Sequence, residues 1–145
     1  MARVQLELPD AFVYETTLEV RITDINFGGH LGNDRMLSLI HEGRARFFRE
    51  RRLSELDIEG VGIIVADAVV VYRAEAFFGD QLRFELAARD FNRYGCDLVY
   101  RLRNRETDQE IARAKTGIVF FDYSLRKVVR APASFLTLFP NSRPG

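Results

Sequence analysis

The 145-residue chain has a single cysteine, Cys96, so no internal disulfide can form. That favours a reducing, cytoplasmic setting. It has no net charge, with 21 Lys plus Arg against 21 Asp plus Glu. A general nucleic-acid binder would show a basic excess, so no nucleic-acid partner is expected beyond what a local basic patch could hold. No apolar run is long enough to span a membrane, and the first residues, MARVQLELPD, lack the apolar core of a signal peptide. There is no internal repeat, low-complexity tract or linker-like stretch, and the length suits one domain over residues 1–145 with a real core. No Cys or His cluster has metal-ligand spacing. No Walker-type or G-x-G-x-x-G loop marks a phosphate cradle. Neither metal nor cofactor is expected.

What is present concentrates between Arg21 and Arg52, RITDINFGGHLGNDRMLSLIHEGRARFFRERR. Phe12 to Ile22 reads as a strand, with Phe12, Tyr14, Thr16, Leu18, Val20 and Ile22 alternating with more polar neighbours. Asp24 to Gly32 reads as a loop punctuated by Asn26, Gly28, Gly29 and Gly32. Asn33 suits an N-cap, and Asp34 in the first turn suits the helix dipole. Met36, Leu37, Ile40, Gly43, Phe47 and Phe48 then share one face of a helix of about five turns, fading near Arg52. Gly43 costs about 1 kcal/mol against Ala inside a helix, which a close backbone approach by a sheet would explain. A strand, a glycine loop and a capped helix aim backbone N–H groups and short polar side chains at one point.

The rest reads as strands: Gly62 to Ala76, Gln81 to Phe91, Asp97 to Arg103 and Ile111 to Tyr123. Turns fall at Phe78-Gly79-Asp80, at Asn92 to Gly95 and at Asn104 to Gln109. Short loops make the last three an antiparallel meander. One long helix and about five strands have a clear packing solution, an α+β fold in which the sheet curls around the helix and buries its apolar stripe.

The local sequences carry a resemblance. Arg21-Ile22-Thr23-Asp24-Ile25-Asn26-Phe27-Gly28-Gly29-His30-Leu31-Gly32-Asn33 resembles the R-x-x-D-x-D-x-x-G-H-x-x-N segment of hotdog-fold acyl-CoA thioesterases related to 4-hydroxybenzoyl-CoA thioesterase. Glu42-Gly43-Arg44 resembles the E-A-R of their helix, Tyr72 to Asp80 their strand exit, and Arg126 to Pro132 their closing turn. The resemblance implies the hotdog fold and hydrolysis of an acyl thioester carried by coenzyme A or acyl carrier protein. It also implies a homodimer or homotetramer, with sheets paired edge to edge and the site shared across the pair. One departure stands out. The second carboxylate of the motif, a nucleophile or general base in that family, is Asn26 here. An amide has no basicity at neutral pH and acts only through hydrogen bonds.

The candidate catalytic residues therefore carry two readings each. Asn26 holds water or the thioester carbonyl, or simply forms a turn. Asp24 substitutes as base, or caps the turn and pairs with an Arg. His30 polarises a carbonyl or moves protons, or bonds a loop carbonyl. Glu42, with Ile40, Phe47 and Phe48 nearby, sits in a mainly apolar setting that raises its pKa for general-base work, or it pairs with Arg46 at i+4. The backbone N–H groups of Gly32 and Asn33 are the natural oxyanion donors. Arg73, Arg93, Arg113 and Lys115 either contact the phosphates of coenzyme A or solvate strand faces. His41 reads as structural or as a subunit contact, and Cys96 as a small strand residue. Two other functions share these residues: an acyl-thioester-binding module without turnover, and an acyl-thioester hydratase or dehydratase using His30 and a carboxylate.

Overall fold

A computed structural model describes residues 3–140. Six strands and one long helix follow in order: β1 (Tyr14–Glu19), α1 (Asn33–Glu50), β2 (Gly62–Tyr72), β3 (Gln81–Arg89), β4 (Gly95–Asn104), β5 (Glu110–Asp122) and β6 (Lys127–Val128). Short 3-10 turns sit at Ile22–Asp24 and Ala133–Leu138. The sheet order is β1-β3-β4-β5-β2, with β6 beside the end of β5, and every pairing is antiparallel. The expected β3-β4-β5 meander is present, and the curved sheet wraps α1 in the hotdog arrangement.

Alternation builds the inner face. Leu82, Phe84, Leu86, Leu98, Tyr100, Leu102, Ala112, Ala114 and Phe120 are buried on one side of their strands. The helix answers with Met36, Leu39, Ile40, Gly43, Phe47 and Phe48. At Gly43 the two layers approach closely: a Cβ there would stand 2.5 Å from the Phe84 ring. The Cβ-less position that local propensity disfavours is the one the packing demands. At the far end the C-terminal 3-10 turn closes the core, with Phe135 edge-on to Phe120 at 4.9 Å and Phe139 stacked on Phe47 at 5.3 Å between centroids.

Three local expectations need correction. Leu37, expected against the sheet, is 42% exposed; it lies about 100° around the helix from Met36, and Leu39 takes the buried position. Gly32 rather than Asn33 is the N-cap, because the Gly32 carbonyl accepts the N–H groups of Arg35 and Met36 while its own N–H is drawn back to the Asp24 carbonyl at 2.9 Å. Three strands are shorter than their patterns, β3 ending at Arg89 rather than Phe91. β1 gives way to the 3-10 turn that leaves Ile22 in solvent, and β2 stops at Tyr72.

A buried polar contact fixes α1 from the side. Arg44, 7% exposed, reaches both Glu55 and the Tyr100 hydroxyl, which in turn bonds Thr116 at 2.7 Å. The segment before β1 crosses the outer sheet face, where Arg113 donates to the Leu6 carbonyl and Arg101 lies over the Phe12 ring.

Gly43→Ala tests the close approach. Phe84 is fully buried and has no room to yield, so overpacking of about 1–3 kcal/mol should outweigh the gain in helix propensity. Denaturant unfolding should show a lower midpoint; an unchanged or raised midpoint would contradict the contact.

Candidate functional site

The loop between β1 and α1 is built on Asp24. Its carboxylate, only 1% exposed, accepts the Arg21 backbone N–H at 2.8 Å and the Arg21 guanidinium at 3.2 Å. Its carbonyl accepts Gly32 N–H. One residue thus joins both ends of the loop. Between them, Asn26 N–H donates to the His30 carbonyl at 2.9 Å, and Gly29 turns the chain at φ +83°. Leu31 N–H donates to the Ala76 carbonyl at 2.7 Å, tying the loop to the segment beyond β2. The Tyr72 hydroxyl donates to the Asn33 carbonyl at 2.7 Å and ties the helix start to the same region.

These ties enclose a cleft of about 380 Å³, within the usual range for a small-molecule site. Leu31, Met36, Tyr72, Ala74, Ala76 and Ile111 form its apolar walls. Asn26, His30, Asn33 and Glu75 supply the polar groups.

The hydrogen bonds orient each polar group. Asn26 Oδ1 accepts Gly28 N–H at 2.9 Å and His30 N–H at 3.4 Å. The oxygen is committed to the loop, and the amide's NH₂ is left as the donor for a ligand. His30 Nδ1 lies 3.1 Å from the Leu31 carbonyl, which can only accept, so Nδ1 carries the proton and Nε2 the lone pair. Nε2 faces Glu75 Oε1 at 3.8 Å. A Cβ on Gly28 would touch both Asn26 Oδ1 (3.3 Å) and His30 Nε2 (3.4 Å), so the two side chains flank the same small gap. Among the described residues Asn33 N–H, the first of the helix, has no acceptor. It stands ready as a donor at the positive end of the dipole.

The other expected residues fall elsewhere. Gly32 N–H is spent on Asp24, so of the two expected oxyanion donors only Asn33 is open. Asp24 is clamped under Arg21 and does not line the cleft. Glu42 is a correction. It is half exposed, bonded to Arg46 at 2.8 Å, and lies in a separate groove with Arg21 and Arg46. Its hydrogen bond to Arg46 holds its carboxyl below the usual range, the reverse of the expected apolar shift. His41 bonds Glu55 at 2.9 Å. Cys96 is buried on β4, and burial pushes its thiol far above the ordinary value, which removes nucleophilic character.

The four expected phosphate cations divide. Arg113 is held bidentately by Glu110, and Lys115 sits between Asp67 and Asp97. Arg73 is half exposed and lies 3.3 Å from Glu110. Arg93 has no ion-pair partner among the described residues. It joins Arg130 at the rim of a second cavity of about 260 Å³, floored by Phe91, Phe135 and Leu136. Among the cleft side chains that carry a polar group, Glu75 and Tyr72 are the two that sequence reasoning did not single out. Both lie in the strand exit Tyr72 to Asp80, whose resemblance was the only available signal.

Among the described residues no group of three or more His, Cys, Asp or Glu is arranged to hold a metal ion, and no helix is long and apolar enough to cross a membrane.

Comparison with known proteins matches residues 20–139 to the model of the thioesterase-like superfamily. No curated protein sequence matches the chain. Among solved structures the fold is similar to a 1,4-dihydroxy-2-naphthoyl-CoA thioesterase from Synechocystis, with TM-score 0.79, 21% identity, and 88% of this chain and 96% of that one covered. It is also similar to a DHNA-CoA thioesterase from Staphylococcus aureus, with TM-score 0.72, 17% identity, and 80% and 78% covered. A gentisyl-coenzyme A thioesterase gives TM-score 0.74, 17% identity, and 85% and 99% covered.

Asp24→Asn should unfold at lower denaturant, by about 1–3 kcal/mol, because an amide NH₂ would face the Arg21 donors in a buried site. An unchanged unfolding midpoint would show that the loop does not depend on this clamp.

Proposed function

The chain belongs to the thioesterase-like superfamily, and from that premise we propose that its cleft hydrolyses an acyl thioester of coenzyme A to a free acid and a thiol. The observation that carries this reading is the meeting of Asn26, His30 and the open Asn33 N–H around one apolar cleft. The Asn26 amide and Asn33 N–H donate to the thioester carbonyl oxygen, where negative charge grows as water attacks. His30 Nε2, a free lone pair beside Asn26, accepts the water proton. Asp24 holds the loop in place, and Glu42 stands outside the reaction.

The described walls are mostly apolar, which suits a neutral acyl group, an aryl or medium-length chain. The aromatic acyl groups named for two of the structural relatives fit this class. For the carrier, the uncommitted guanidiniums of Arg93 and Arg130 offer phosphate contacts at the opposite end of the sheet. Arg73 is a secondary contact.

The arrangement makes sense in a homodimer paired through β2. That strand is a sheet edge, with Val65 to Ala68 exposed. Gly62 lies beside Phe121 and Tyr72 beside Ala112 in the β2–β5 register. A two-fold axis through the middle of β2 therefore sets the Tyr72 end of one copy against the Gly62 end of the other. Each cleft then faces the second cavity of the opposite copy. Light scattering at micromolar concentration should give at least twice the monomer mass; a monomer would remove the shared-site reading.

A panel of acyl-CoA substrates, read by thiol release and product mass, tests the activity. Free acid is expected; a mass gain of water on an intact thioester would indicate a hydratase. His30→Gln and Asn26→Ala should each lower kcat about a hundredfold, while Asn26→Asp should keep or raise turnover. If neither wild type nor Asn26→Asp releases thiol, yet calorimetry shows acyl-CoA bound, the protein is a binding module.

A further inference from the structure

We propose that Glu75 is the positioning residue for His30, supplying from the segment beyond β2 the carboxylate that the loop lacks at Asn26. The proposal rests on the thioesterase reading of the cleft.

Five observations converge. The Leu31 carbonyl takes the Nδ1 proton, so the basic nitrogen of His30 is Nε2. The group facing Nε2 is Glu75 Oε1 at 3.8 Å. Among the described residues Glu75 has no other ion-pair partner, whereas Asp24 is tied to Arg21 and Glu42 to Arg46. Among the described residues Glu75 is also the one acidic side chain lining the cleft. Finally, the bond from Leu31 N–H to the Ala76 carbonyl joins the residue after His30 to the residue after Glu75. The backbone therefore holds the two residues next to each other.

The chemistry follows from which atom holds the proton. As the water oxygen bonds to the carbonyl carbon, its proton passes to Nε2. The imidazolium so formed lies beside the Glu75 carboxylate, which lowers its energy and keeps the ring aimed. When the carbon–sulfur bond breaks, the Nε2 proton goes to the departing sulfur. Thioester and water become carboxylic acid and thiol, His30 returns to its neutral form, and Glu75 keeps its charge throughout. Glu75 touches neither substrate nor proton. Its contribution is limited by exposure, since its side chain is 64% accessible and the field is partly screened by water.

The test measures kcat and KM for wild type, Glu75→Gln, Glu75→Asp, His30→Gln and the double variant His30→Gln/Glu75→Gln, using the acyl-CoA that wild type turns over best. Glu75→Gln should lower kcat roughly tenfold with KM nearly unchanged, and Glu75→Asp should recover part of the loss. The double variant should be no slower than His30→Gln alone, because Glu75 acts only through that ring. An unchanged kcat in Glu75→Gln, or a tenfold loss that persists in the His30→Gln background, would overturn the pairing. So would a Glu75→Gln enzyme slower than His30→Gln. Thermal melting of each variant checks that folding is intact. An active wild type with an unaffected Glu75→Gln variant removes the pair and leaves the thioesterase reading; a wild type that turns over no thioester removes both.

Discussion

The seating of Gly43 on the Phe84 ring is the contact on which the rest of the molecule depends. A sheet can curl around a helix only if the helix comes close enough for both layers to exclude water. Here the missing Cβ sets that distance. Close approach lets Met36, Ile40 and Phe47 reach the inner face of the strands, and it lets Arg44 reach Tyr100. The cost of glycine inside a helix is local and small; the gain is shared by the whole interface.

The loop that feeds the helix is held by a second constraint. Asp24 is nearly inaccessible and saturated by its partners. Its work is structural, to close the loop so that Asn26 and His30 stand on either side of Gly28. The division of labour between two polar residues two positions apart is set by burial and bonding. Asp24 faces the Arg21 guanidinium and the loop backbone. Asn26 spends its oxygen on the turn and keeps its NH₂ for the cleft.

The cleft therefore combines donors from the loop and helix start with a base and a carboxylate brought together across the fold. An amide at position 26 can stabilise an oxyanion but cannot accept a proton. In the proposed reaction that need falls to the lone pair at His30 Nε2, beside the charge at Glu75. The proposed dimer and carrier contacts draw on the edge position of β2 and on the cavity carrying Arg93 and Arg130.

The long helix, the first five strands and their order are legible in the sequence, whereas β6 and the C-terminal 3-10 turn are not. The stripe from Met36 to Phe48, the alternation of β3 to β5 and the glycines of the loop are local signals, because helix and strand periods are written in neighbouring residues. The run from Arg21 to Asn33 likewise located the loop that carries Asn26 and His30. Which side chains face one another emerges only once the chain is folded. Glu42 and Glu75 are alike as residues. The first is turned to solvent and tied to Arg46, whereas the second lies against His30, 45 positions away in the chain. Gly32 and Asn33 both sit at the helix start, yet one N–H is spent on the Asp24 carbonyl and the other is open. Such choices depend on loop closure and strand pairing between distant segments, and no local period encodes them.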